Sequence, residues 1–216
     1  MIWKSIYHLL HLLVYIVAKP LFRYRAIGTK NIPRQGSAII ASNHASYLDP
    51  ILVGLGIKRR INYLAKKELF AKKLARYFLK NLLRALPIDR ERMDRNTLRE
   101  TYNLLKTNEL LLMFPEGTRT FDGKLNQAKM GIGMIAHNTK VPVIPVYIDG
   151  SYAILSRTAT SIRFKNCSVY YGPPVDLNAL YSKQRSKELY KAISDKIMDA
   201  VRQLEEQASG IRESSS

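Results

Sequence analysis

The stretch AIIASNHASYLDP, Ala38 to Pro50, decides how this chain is read. Small and apolar residues run without a break, then stop at Asn43-His44, and Asp49 follows five residues after the imidazole. The apolar run comes after the turn-forming Pro33-Arg34-Gln35-Gly36, which predicts a buried strand over Ser37 to Ser42. In open α/β sheets ligands gather at the carboxyl ends of strands, and His44 stands there. A turn or helix start can bring the Asp49 carboxylate back to the imidazole, where it would hold the tautomer and stabilise the imidazolium. Such a pair is a general base without a nucleophile of its own, so the hydroxyl it activates belongs to the substrate. Taken alone, the pair is more simply a histidine capping a helix. The rest of the chain changes that balance.

Outward from this point, Ile61 to Ala65 reads as a short strand. ELFAKKLARYFLKNLLR, Glu68 to Arg84, has a helical pattern. Leu69, Phe70, Leu74, Tyr77, Phe78 and Leu82 share one broad face, and Lys72, Lys73, Arg76, Lys80 and Arg84 supply charge on the remainder. Ala85 to Ile88 is extended because Leu86 precedes Pro87. A polar helix follows from about Asp94 to Lys106. Leu110 to Phe114, LLLMF, is the continuous apolar run of a strand covered on both faces. A helix over Ala128 to Asn138 and strands over Val141 to Ile148 and Ser161 to Tyr171 come next, the last ended by Gly172-Pro173-Pro174. Leu189, Ile193, Ile197, Val201 and Leu204 mark an amphipathic terminal helix, and SGIRESSS reads as a disordered tail. Alternating strands and helices predict an α/β fold, a single domain with a largely parallel twisted sheet flanked by helices.

Three further segments carry chemistry. FPEGTRT, Phe114 to Thr120, follows its strand as His44 follows the first. It offers the Glu116 carboxylate, Gly117 for close backbone approach, the Thr118 hydroxyl and the Arg119 guanidinium. A forked Arg beside free amides suits a phosphate monoester, whereas a turn with Arg119 paired to Glu116 is the plainer alternative. PIDR, Pro87 to Arg90, puts another Arg after an extended segment; alone it is a solvated Asp-Arg pair. VPVIPVYI has Pro142 and Pro145 inside a strand, which suggests an edge or an irregular segment lining a substrate.

Together these blocks resemble the glycerolipid acyltransferases, and within them the lysophosphatidic acid (1-acyl-sn-glycerol-3-phosphate) acyltransferases. NHASYLD matches the N-H-x-x-x-x-D block, ALPIDR the second block less perfectly, FPEGTR the third letter for letter, and VPVIPV the fourth. Their order and spacing match as well, over roughly Gly28 to Pro174. The resemblance implies a transfer of a fatty acyl group from a thioester to the sn-2 hydroxyl of 1-acylglycerol 3-phosphate, giving phosphatidic acid for phospholipid biosynthesis. It implies His44 as general base and Asp49 as its orienting partner. Arg119, Arg90, Glu116 and Gly117 would form the acceptor site, with Arg119 the leading phosphate ligand. Lys66 matches a lysine of the family after its second strand, a place that Lys67 can also fill. No metal or other cofactor is implied; the co-substrate is acyl-CoA or acyl carrier protein. Related acyltransferases that take glycerol 3-phosphate or another lysolipid share the blocks.

Composition agrees with a lipid enzyme. Among 216 residues, 35 basic face 17 acidic side chains, a net charge of +18 that calls for an anionic partner. The single cysteine, Cys167, forms no internal disulfide. At the amino terminus MIWKSIYHLLHLLVYIVAKPLFRYR is apolar, with Lys4, Lys19, Arg23 and Arg25 at its flanks. Its uncharged part, Ser5 to Ala18, is about 21 Å as a helix. A bilayer core of about 30 Å is too thick for it. An interfacial or half-inserted helix on the cytoplasmic face of a membrane is therefore expected, rather than a span, a cleaved signal or a helix docked in the core. Residues 1–25 are expected as this membrane-associated helix, 26–207 as the acyltransferase domain and 208–216 as the tail. Two other classes compete. A basic nucleic-acid-binding protein would explain the charge but not the ordered blocks. A thioester or lipid hydrolase would use water or Ser46, although no G-x-S-x-G elbow is present.

Overall fold

A computed structural model describes residues 2–81, 84–88 and 95–213. The strands are β1 (Arg25–Ile27), β2 (Ala38–Ser42), β3 (Ile61–Lys66), β4 (Ala85–Ile88), β5 (Leu110–Met113), β6 (Val143–Asp149) and β7 (Ser168–Tyr171). The helices are α1 (Ile2–Leu21), α2 (Asp49–Leu55), α3 (Lys73–Asn81), α4 (Arg95–Leu104), α5 (Met130–Thr139), α6 (Ser151–Leu155), α7 (Asn178–Tyr181) and α8 (Lys187–Glu213). The strands form one sheet in the order β1-β7-β6-β2-β5-β3-β4. Every pairing is parallel except β6 with β7.

The alternation along β2 and β5 explains why their sequences are apolar throughout. Ala38, Ile40, Leu110 and Leu112 enter a core with α1 and α2. Ile39, Ala41, Leu111 and Met113 enter a second core with α5 and α8. Both faces are covered, as in parallel sheets generally. From β2 the chain moves towards β3, and from β5 it crosses back to β6. The ends of β2 and β5, where Ala41 pairs with Met113, are thus a topological switch point.

Several expectations need correction. The strand expected over Ser161 to Tyr171 begins only at Ser168, because Ile162 and Phe164 point into solvent and find no partner strand. The helix expected over Glu68 to Arg84 is a 3₁₀ turn, Lys67–Phe70, followed by α3; Arg76 Nε donates to the Phe70 carbonyl at 2.9 Å and closes the bend between them. Of its apolar face Phe70 is buried, while Leu69, Leu74, Tyr77 and Phe78 are exposed and Leu82 lies outside the described residues. Strand β6 is interior, not an edge. Pro145 is tolerated there because its carbonyl faces β7, accepting from Gly172, so its missing N–H falls on the side where the β7 ladder starts only at Val146. Pro87 does occupy an edge strand. Helix α8 continues to Glu213, with Ala208 fully buried against Tyr147 and Tyr170, so residues 208–213 are helical rather than part of a loose tail. No described helix is long and apolar enough to cross a membrane. Helix α1 docks one side on the domain through Tyr7 and Ala18 and exposes the other.

Candidate active site

The chain leaves β2 at Ser42 and turns at once. Asn43 prolongs the sheet with its side chain, accepting from the Ile148 amide at 2.7 Å and donating to the Ile148 carbonyl at 3.2 Å. His44 comes next, and α2 starts at Asp49 with Pro50 in its first turn, where proline costs no hydrogen bond. The tight turn carries the carboxylate back. Asp49 Oδ2 meets His44 Nδ1 at 2.8 Å and accepts the Ala45 and Ser46 amides at 2.7 Å each. An acceptor already facing two amide donors requires Nδ1 to carry the proton, which makes Nε2 the basic nitrogen. The imidazole also stacks on Phe114, with ring centroids 3.8 Å apart and planes 13° from parallel. Rotation of the ring is restricted on its edge and on its face.

The loop after β5 lies alongside. Glu116 is buried, and its oxygens are committed to the protein. Oε1 accepts the His44 amide at 2.8 Å, and Oε2 accepts the Asn126 amide and side chain at 3.0 and 2.9 Å. Burial pushes this carboxyl above the ordinary glutamate range, and those hydrogen bonds offset only part of the rise. The Thr120 amide donates to the His44 carbonyl at 2.9 Å. The two loops are therefore laced together through backbone groups of the histidine itself.

Gly117 has a φ of 71°, a conformation that favours glycine. Arg119 lies with its guanidinium carbon 3.4 Å from the centre of the Tyr47 ring, and its Nη1 is buried without a hydrogen-bond partner. Lys66 ends β3, paired with Ile88 at the same end of the sheet, and Lys67 opens the following 3₁₀ turn in an exposed position. Arg90 lies outside the described residues. Structure thus brings His44, Asp49, Glu116, Gly117 and Arg119 together. Ser46 is buried, donating to the Leu155 carbonyl at 2.7 Å and accepting from the Leu48 amide, which occupies it structurally.

A cavity of about 570 Å³ opens at His44, between the sheet and the starts of α5 and α8. Its walls are mostly apolar, including Leu64, Ile88, Phe114, Ile132 and Met134, and Lys129 and Lys187 also line it. This volume suits an organic chain with a few polar anchors. Sequence reasoning missed Phe114 as a ring platform, Tyr47 as the seat of Arg119, Asn126 and Lys129. Phe114 and Tyr47 fall inside the quoted blocks, but nothing local distinguishes them from core residues.

Comparison with known proteins shows the family to which the chain is similar. The acyltransferase family model matches residues 23–149. The 1-acyl-sn-glycerol-3-phosphate acyltransferase of Bacillus subtilis is 31% identical over 181 residues, covering 82% of this chain and 87% of that protein. The chloroplastic enzyme of the same name from Arabidopsis thaliana is 29% identical over 139 residues, 63% of this chain but only 38% of the longer plant protein. The crystal structure of the 1-acyl-sn-glycerophosphate (LPA) acyltransferase PlsC from Thermotoga maritima superposes with a TM-score of 0.72 at 27% identity, covering 94% of this chain and 82% of that one.

Proposed function

The chain belongs to the acyltransferase family, among the lysophosphatidic acid acyltransferases, and on that premise we propose that it acylates the sn-2 hydroxyl of 1-acylglycerol 3-phosphate to give phosphatidic acid. The observation that carries this reading is the His44–Asp49 pair, which holds no nucleophile of its own and whose His44 lines a mostly apolar cavity. His44 Nε2 takes the proton of the acceptor hydroxyl as its oxygen attacks the thioester carbonyl. Asp49 stabilises the imidazolium, which returns its proton as the thiolate leaves. The apolar part of the cavity takes the acyl chain of the donor, and the part beside His44 admits the acceptor.

Arg119 binds the acceptor phosphate. Its buried, unpartnered Nη1 and its stack on Tyr47 suit a guanidinium awaiting an anion. Glu116 serves the acceptor site by holding the two loops together, because both its oxygens already have partners. Gly117, Lys66 and Arg90 complete the acceptor side in this reading. The donor is a fatty acyl thioester, acyl-CoA or acyl carrier protein, and no metal or other cofactor takes part. Purified protein in mixed micelles, offered lysophosphatidic acid or glycerol 3-phosphate with each donor, tests the assignment. Phosphatidic acid formation is expected. Acylation of glycerol 3-phosphate in its place would transfer the chain to a sister activity, and thioester loss without an acceptor would make it a hydrolase.

The site works at the cytoplasmic face of the membrane, where acyl thioesters are made. Leu9, Leu12, Leu13, Ile16 and Val17 on α1 are exposed, as are Leu74, Tyr77 and Phe78 on α3. Trp3 meets Tyr77 edge-on with centroids 5.4 Å apart, which joins the two apolar faces. Lys72, Lys73, Arg76 and Lys80 flank them, each contributing roughly 1 kcal/mol near an anionic surface. Deleting α1 would uncover core residues, so the cleaner test replaces Leu9, Leu12, Leu13, Ile16 and Val17 with serine. Binding to phosphatidylglycerol vesicles should be lost, while high salt should weaken wild-type binding only in part. For topology, cysteines introduced at positions 2 and 124 should label from the same side of a sealed vesicle. Labelling from opposite sides would mean that α1 spans.

A further inference from the structure

Gly117 and Lys129 are in contact, and the contact explains both. A Cβ on residue 117 would stand 2.9 Å from Lys129 Cδ, 3.1 Å from Cε and 3.3 Å from Nζ. The lysine stem therefore lies across the bare glycine. The Lys129 amide donates to the Pro115 carbonyl at 2.8 Å, so its backbone is fixed to the same loop. Both residues line the cavity that His44 lines. Lys129 is exposed and has no ion pair with a carboxylate among the described residues. Glu116, the carboxylate next to Gly117 in sequence, is already taken up by His44 and Asn126. A long cation has been laid across a Gly that leaves room for it, and its ammonium has been brought to the cavity at His44 with no carboxylate partner among the described residues.

We propose that Lys129 is a second cation for the acceptor phosphate, acting with Arg119, which follows Gly117 by two residues on the same loop. This rests on the acceptor being 1-acylglycerol 3-phosphate. Charge requires more than one partner: a phosphate monoester carries about −1.5 to −2 at neutral pH, and a single guanidinium leaves much of that unmatched in a partly desolvated site. Reach favours the acceptor over the donor. In lysophosphatidic acid the phosphate is a short glycerol arm away from the reacting hydroxyl, whereas the donor's phosphate lies at the far end of a pantetheine. A cation beside Gly117, next to the loop that holds His44, is placed for the former. Met130 and Gly131, the first turn of α5, line the same cavity, and the amides of that helix end add positive potential. The glycine of the third block thus acts on the substrate indirectly, by making space for a lysine twelve residues downstream.

The test compares wild type, Lys129→Met, which keeps the stem and removes the charge, and Lys129→Arg, which restores charge. Each is assayed with lysophosphatidic acid and with its phosphate-free counterpart, monoacylglycerol, under saturating donor, and then with donor varied. Lys129→Met should raise KM for lysophosphatidic acid about 10- to 100-fold, the loss of one charge-assisted hydrogen bond. Monoacylglycerol turnover and donor KM should stay near wild type, and Lys129→Arg should recover most of the loss. Equal penalties on both acceptors, a rise confined to donor KM, or wild-type kinetics in Lys129→Met would each overturn the proposal. Failure of the wild type to acylate lysophosphatidic acid at all would instead remove the underlying reading and this one with it.

Discussion

The loops after β2 and β5 leave neighbouring strands at the same end of the sheet, and each carries a buried carboxylate, yet the two carboxylates serve different ends. Asp49 accepts the imidazole and two amides of its own turn. Glu116 accepts no side chain of the catalytic pair; it joins the His44 backbone to Asn126 across the site. The first loop is closed on itself and orients a proton carrier. The second is closed around the first and holds its cations apart from its own carboxylate, Arg119 over Tyr47 and Lys129 over Gly117. If this is the acceptor site for an anion, as proposed, its acidic residues are explained without substrate contact: they build the frame, and recognition is left to the cations around them.

The sharpest test of that division is His44→Ala. Its backbone amide and carbonyl still engage Glu116 and Thr120, so the protein should fold and bind vesicles while transfer falls to background. Turnover at the wild-type rate in a well-folded His44→Ala protein would end the assignment of the base. Asp49→Asn comes next. Its amide facing Nδ1 would force the wrong tautomer, and a drop of about 10⁴-fold in kcat is expected. Thermal stability should fall too, since Oδ2 holds two amides. A loss of stability with near-normal kcat would show that Asp49 only builds the turn.

On the second loop, Arg119→Lys forfeits the fork and the Tyr47 stack. KM for lysophosphatidic acid should rise about 10- to 100-fold. Removing the acceptor's phosphate should then cost the wild type far more than the variant. Equal costs in both would mean that Arg119 does not read that group.

The smallest effect is expected from Glu116→Gln and is seen in stability rather than turnover. Because burial raises the Glu116 pKa, the native state holds this proton more tightly than the unfolded chain does. Stability from this group therefore increases as pH falls from the native pKa towards the unfolded one, and is lost as pH rises through the native value. The variant should flatten that part of a profile of melting temperature against pH, and should keep much more activity than Asp49→Asn. Identical slopes in the two proteins would show that Glu116 does not titrate as its surroundings imply.

What the sequence by itself determined is whatever depends on near neighbours or on composition. The apolar runs at β2 and β5 are typical of strands buried on both faces, and the five-residue spacing from His44 to Asp49 closes within one turn. From these followed the α/β class, the His44–Asp49 pairing and the general position of the second loop. The tertiary structure decided what depends on residues far apart. Glu116 meets a backbone amide 72 positions away, so its framing role is invisible along the chain. Pro145 looked like an edge marker because its missing N–H was evident, while the direction in which that N–H would have pointed was set by the neighbour it received. The apolar face of α3 reads the same whether it is covered or exposed, and only its placement beside α1 leaves it open. Sequence encodes local geometry through short-range sterics and periodicity; which side chain completes a site is settled by the crossing of strands, which here sets Glu116 of the loop after β5 against the His44 amide of the loop after β2.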